Sequence, residues 1–222
     1  MEREVEEGNW TRRPTSLKIA EAYNVSVKTR AVAYLAYGQL LLALFLGLCV
    51  LLHPGFVLKA DEGGMSNYGI HAKTAAAYTL SLGFPTLFSF WAACLFNGDG
   101  QSMRQFRFLL RLYGWLILLT LLSTYVYTLD TALKDIHFAI GAALTIFEVA
   151  ASVWMYQLLS QRKWDATLLA VELVGSALAA FTIVGVLHVL FLSQVLTSGA
   201  FALLLVDSGR KVEALTPASH SA

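Results

Sequence analysis

The amino-acid sequence predicts an all-α fold, a polytopic integral membrane helical bundle with six transmembrane helices and both termini cytoplasmic. Three observations predict it. Of 222 residues, 57% are hydrophobic and 14% charged, about half the charged share of an ordinary soluble domain. The apolar residues fall in runs of about 20, the length that crosses a bilayer as a helix. Lys and Arg are gathered in short segments between alternate runs, the bias that orients membrane helices. A formal net charge of +1 leaves no basic footprint for nucleic acid. The runs occupy so much of the chain that no separate soluble catalytic domain fits, and disorder is excluded.

The first 30 residues read as a cytoplasmic segment. MEREVEEGNW is acidic and lacks an apolar core, so it does not read as a cleavable signal peptide, and residues 1–14 are expected to be mobile. From Pro14 onward Leu17, Ile19, Ala20, Tyr23 and Val27 recur at roughly helical spacing. That pattern suits either a short interfacial helix or a continuous extension of the first span. The transmembrane domain covers 31–207. Its first span, 31–53, lies between Lys28 and Arg30 and the Pro54-Gly55 pair. The second, 74–95, contains Gly83 and Pro85, which a membrane helix tolerates where neighbours satisfy the freed carbonyls. The third is 112–129 and the fourth 138–159, with Tyr113, Trp115 and Trp154 at interfacial positions. The run Ala166 to Val206 is twice the length of one span and predicts a tight hairpin, 166–187 and 190–207, turning near Leu187 to Leu192 without a Pro or a Gly pair. Residues 208–222 read as a flexible cytoplasmic tail.

Positive charge gives an independent count. With the N-terminus inside, 13 of the 16 basic residues are cytoplasmic, and only Lys59, Lys73 and Lys134 lie outside. Six spans satisfy the positive-inside bias, whereas five would place Arg210 and Lys211 outside. The expected location is the cell (plasma) membrane.

Cys49 and Cys94 fall near opposite ends of neighbouring spans, on the order of 20 Å apart, too far for a disulfide. His53, His71, His137 and His188 all map to the outer face. With Asp61, Glu62, Asp130 and Asp135 they define a candidate outer-face polar cluster, of which Asp61, Glu62, His71, Asp130, Asp135 and His137 are the main members. Imidazole and carboxylate together suit a divalent metal, but no pair has the i, i+4 spacing that preorganises a site. A structural role is therefore expected, with no metal and no cofactor.

Two carboxylates lie inside spans. Glu148 is near the middle of the fourth and Glu172 about one and a half turns into the fifth. An ionised carboxylate facing lipid costs roughly 3 kcal/mol or more, so each is expected to face the bundle, a partner or water. Small residues flank both: Gly141, Ala142 and Ala143, then Gly175, Ser176, Ala177, Ala179 and Ala180. They predict a tight contact between the fourth and fifth helices. Glu172 is placed to reach Arg111, Arg162 or Lys163.

The outer loop 54–73, PGFVLKADEGGMSNYGIHAK, holds four glycines and an exposed Tyr68. Its glycines mark turns that fold it onto the helix ends. At ADEGGMSNYGIHAKTAAAYTL the chain resembles small integral membrane proteins of actinobacteria. With its six short-looped spans and alanine-rich tail, it is similar to the LucB-type accessory subunits of mycobacterial Mce lipid-import complexes. That resemblance implies a non-catalytic partner of an ABC-type lipid importer, with fatty acid or sterol as the transported class, and transfers no functional residue. The expected function is thus an accessory or assembly-stabilising subunit of a larger membrane complex, not an enzyme, with membrane lipids and an ABC-type permease as partners. The alternative is a small proton-coupled transporter using Glu148, and a lipid-directed enzyme at the outer face ranks last.

Overall fold

In a computed structural model, which describes residues 15–59, 64–159 and 162–215, the apolar runs become helices and no strand forms among the described residues. Helix α1 spans Thr15–Leu52, α2 Gly55–Lys59, α3 Asn67–Ile70, α4 Ala75–Leu95, α5 Gln101–Thr124, α6 Thr131–Leu159, α7 Lys163–Ile183 and α8 Leu190–Leu215. Six segments are long and apolar enough to cross a membrane: Arg30–Leu52 of α1, and α4 to α8. A 21-residue helix such as α4 is about 31 Å long, the thickness of a bilayer core.

Polarity is distributed inside out. Leu40, Leu44, Leu51, Ile146, Val174, Phe181 and Leu203 are exposed, whereas Ser81, Thr124, Ser152, Glu172 and Ser193 are fully buried. Buried hydroxyls commonly bond the preceding turn's carbonyl: Thr86 to Leu82 O at 2.8 Å, Thr124 to Thr120 O at 2.8 Å, Thr182 to Leu178 O at 2.9 Å. Such back-bonding satisfies a hydroxyl where no water is present.

The helices order as α1, α4, α5, α6 and α8 around a shared core, with α8 returning to α1 and α7 laid along α8. An aromatic ladder joins α1 to α4: Tyr34 stacks on Phe88 and Trp91 at 5.6 and 5.4 Å, and Phe45 stacks on Phe84 at 5.6 Å. Pro85 remains inside α4, and its backbone lies against Gly38 of α1. In the core, Phe201 of α8 meets Tyr113 of α5 at 4.9 Å, and Phe96 meets Phe106 edge-on at 5.2 Å. Segments 53–59, 64–74, 125–130 and 184–189 share one end, the loop face. Arg104, Arg107, Arg162, Lys163, Arg210 and Lys211 share the other, the basic face.

Several boundaries differ from the sequence reading. Helix α1 is continuous from Thr15, so the extension replaces the separate interfacial helix. Helix α5 starts at Gln101 and ends at Thr124, not 112–129, because Met103, Phe106, Leu109 and Leu110 bury one face while Arg104 and Arg111 stay exposed. Helix α6 starts at Thr131, seven residues before the expected 138, where Asp130 Oδ1 accepts the Ala132 N–H at 3.3 Å as a cap. Helix α8 runs on to Leu215, into the stretch read as tail, because Asp207 and Lys211 pair across one turn at 2.5 Å and Lys211 bridges to buried Asp165 of α7 at 2.8 Å. The turn between α7 and α8 lies at 184–189, earlier than expected, and a single glycine makes it. Gly185 has φ +78°, and the Val186 N–H returns to Phe181 O at 2.9 Å, a Schellman-type ending. Residues 1–14 and 216–222 lie outside the described residues.

The small residues of α7 seat α8, not α6. A Cβ on Gly175 would lie 2.6 Å from Thr197 Oγ1 and 2.8 Å from Thr197 N, whereas nothing lies within 4 Å of one on Gly141. Gly175→Ala is expected to destabilise the protein by about 1–3 kcal/mol through overpacking. Gly141→Ala is expected to be neutral or stabilising by up to about 1 kcal/mol. Thermal unfolding in detergent checks this, and equal effects at the two sites would refute the packing.

Candidate functional site

Two polar centres lie within the bundle, one near the loop face and one at mid-depth. The first is built on His137, one and a half turns into α6 and 6% exposed. Its Nδ1 lies 2.7 Å from Ser123 Oγ of α5 and its Nε2 2.8 Å from Ser66 Oγ of the outer loop. Ser123 donates to Thr120 O at 3.0 Å, so it accepts from His137, and Nδ1 carries the proton. Nε2 is then the acceptor for the Ser66 hydroxyl, a tautomer assigned from the network. Tyr127 stacks on the ring at 4.7 Å, and its hydroxyl donates to Asn67 Oδ1 at 3.2 Å. The Met65 N–H donates to Gln194 Oε1 of α8 at 2.7 Å, and Thr74 Oγ1 donates to Tyr68 O at 2.7 Å.

These bonds fasten the loop to α5, α6 and α8, as its glycines predict. Gly64 takes φ +56° against Gln194, and Gly69 presses on Tyr78 and the Thr124 methyl, where a side chain has no room. Tyr68, read as exposed, is instead fully buried between Phe56 and Phe191. Burial pushes the Tyr68 and Tyr127 phenols above the usual tyrosine range, so both stay neutral.

The candidate outer-face cluster is thereby divided. His137 is the clasp. His71 lies beside His53 at 4.3 Å between centroids, with the Phe56 ring against both. Asp130 caps α6, and Asp135 is exposed. Asp61 and Glu62 lie outside the described residues. Among the described residues no three His, Cys, Asp or Glu side chains gather as a metal site. Cys49, buried near the loop face, and Cys94, exposed toward the basic face, are both free. Ser66, Ser123 and Gln194 carried no signal in the sequence, since their partners come from other helices.

The second centre surrounds the intramembrane carboxylates. Glu148 is 2% exposed, and both its oxygens lie 3.3 Å from the Ser198 hydroxyl of α8. Glu172 is completely buried on α7, on the face turned to Ser152 of α6, and neither of its oxygens is within hydrogen-bond geometry of a partner among the described residues. It makes no ion pair with Arg111, Arg162 or Lys163, because it faces the interior while Arg162 and Lys163 lie at the basic face and Arg111, midway along α5 and not at its basic end as the sequence reading had it, is exposed on the outside of the bundle. Tyr113 of α5 is within electrostatic reach of both carboxylates, with Gln39 of α1 at its hydroxyl. Five helices thus contribute to one buried polar cluster.

A cavity of about 560 Å³ links the two centres between α6, α7 and α8. Ser66, His137 and Gln194 lie at one end, and Glu148, Thr197 and Ser198 at the other. Eleven helical residues separate His137 from Glu148, roughly 16 Å. Gly141, Ala142, Ala179 and Ala180 line the walls, so the small residues expected to join α6 to α7 instead hold open a space between them. The rim includes exposed Ile146, Ala150, Ala180 and Ile183, so the cavity opens sideways through the apolar belt.

Comparison with known protein families, with curated proteins and with solved structures found no match.

His137→Ala leaves the Ser66 and Ser123 hydroxyls without their partner and is expected to cost about 1–3 kcal/mol. It is also expected to speed proteolysis within residues 54–73. Asp135→Ala, on the same turn but exposed, is expected to change neither, and limited digestion with thermal melts compares the two.

Proposed function

We propose that the chain is an accessory, assembly-stabilising subunit of a larger membrane complex, with both termini cytoplasmic and the loop face outside. The observation that carries the reading is where the polar groups are used. His137, Asp165, Lys211 and Glu148 each join one helix to another or to the loop, and the surface left over is an apolar belt. A rigid bundle with such a belt supplies packing surface to a partner in the bilayer. The basic face, which carries Arg104, Arg107, Arg162, Lys163, Arg210 and Lys211, supports this orientation. The resemblance of the loop segment to LucB-type accessory subunits supports an ABC-type lipid importer as the complex, with fatty acid or sterol as its cargo and the plasma membrane as its location. Purification from native membrane in mild detergent is expected to recover a stoichiometric multi-span partner. A chain recovered alone after gentle crosslinking would overturn the reading.

A second reading is favoured by one observation, that Glu148 both lines the cavity and lies at mid-depth. In it the chain is a small proton-coupled transporter, with Glu148 exchanging a proton for a solute. Glu148→Gln is expected to abolish pH-driven flux in proteoliposomes while leaving the melting profile near that of the parent. Undiminished flux would remove this reading.

A further inference from the structure

We propose that the cavity between α6, α7 and α8 binds a lipophilic cation, an apolar body carrying one positive charge that pairs with Glu148. This rests on the transporter reading, whose solute class it names.

The walls argue first. Between its polar ends the cavity is lined mostly by Leu, Ile, Val, Ala and Phe side chains, with the hydroxyls of Thr120, Thr145 and Ser176 among them, and its volume is within the range of pockets that enclose a small organic molecule. The sideways opening admits a ligand already dissolved in the apolar phase.

Charge then selects among such ligands. Among the described residues no Lys or Arg lines the cavity, and its titratable groups there are Glu148 and His137. The titratable groups facing Glu148 are Glu172 from α7 and Tyr113 from α5, while α8 offers the Ser198 hydroxyl. Neither carboxylate has a cationic partner among the described residues. A carboxylate or phosphate head would therefore meet acidic and neutral groups alone and find nothing to pair with. A cation would complete an ion pair with Glu148 and relieve its repulsion with Glu172. A charge spread over aromatic rings is the easiest kind to bring into an apolar space, because its desolvation cost is small.

Proton and cation compete for the same carboxylate. Binding needs the ionised form, so affinity must fall as pH falls and the carboxyl takes up its proton. A permanently charged ligand has no titration of its own, so this dependence belongs to the protein.

The test uses the full chain in nanodiscs of neutral lipid with radiolabelled tetraphenylphosphonium as the probe and an uncharged tetraphenyl analogue of the same shape as its control. Saturable binding of the cation is expected, at least tenfold stronger than that of the control and at least tenfold weaker at pH 5 than at pH 9. Glu148→Gln, which keeps the shape and removes the charge, is expected to lose at least tenfold in affinity. Ala142→Leu, which narrows the cavity and leaves the carboxylate in place, is expected to do the same. Equal binding of the neutral analogue, a pH-independent affinity, or undiminished binding by a folded variant would overturn the proposal. If Glu148→Gln does not fold, Ala142→Leu and the pH series on the parent chain decide. Cation binding without pH-driven flux would leave this site standing and remove the transporter reading, whereas flux of another solute without cation binding would do the reverse.

Discussion

A carboxylate in the apolar core of a membrane has to be enclosed, and the arrangement of this bundle follows from enclosing two. Glu148 and Glu172 lie on successive helices, and an ionised carboxylate left facing lipid costs roughly 3 kcal/mol or more each. The structure answers by bringing α8 onto Glu148 and onto the face of α7 that carries Gly175, while Glu172 turns toward Ser152 of α6. Ser198 meets Glu148, and one turn of small and hydroxylated residues around Thr197 fits against Gly175, close to Glu172 along α7. With α8 held there, Phe201 reaches Tyr113 and Gly209 comes against Leu35 and Phe96. The core that joins α1, α5 and α8 is thus a consequence of the same placement.

Enclosing the carboxylates from the α8 side leaves α6 and α7 apart on the other. Their alanines and glycines are too small to fill the gap, which becomes the cavity. Small residues carry two meanings in a membrane helix. They permit close approach where a neighbour is available, as at Gly175, and they leave space where the neighbour is held elsewhere, as at Gly141. The loop clasp completes the end of that space, since Ser66 and Gln194 hold the loop and line the cavity together. Stability of the loop and shape of the cavity are therefore coupled through His137.

The two polar centres differ in how fully their hydrogen bonds are met. Around His137 every ring nitrogen has a partner and the neighbouring hydroxyls pass their protons to Thr120 O, which is the economy expected of a group that holds structure. At mid-depth the bonds to Glu148 are long and, among the described residues, both oxygens of Glu172 are without one. A buried polar group left short of partners is where a ligand or a proton has most to contribute. That contrast is why the proposed ligand is placed at the second centre and not at the first.

Six crossings, the depth of the carboxylates and the separation of the two cysteines were legible in the sequence, because hydropathy and residue spacing are local and a membrane imposes one length on every span. The folding of the outer loop was legible too, through glycines whose positive φ or lack of space excludes other residues. Burial of Tyr68, the Ser66–His137–Ser123 clasp, the Asp165–Lys211 bridge and the choice of α8 over α6 as partner for Gly175 were not. Each joins residues of different helices or loops, and a helix sequence marks which face is small or polar without marking which neighbour will meet it. Tertiary structure decided that, since six helices of nearly equal hydropathy can be ordered in several ways and only side-chain fit and polar satisfaction distinguish them.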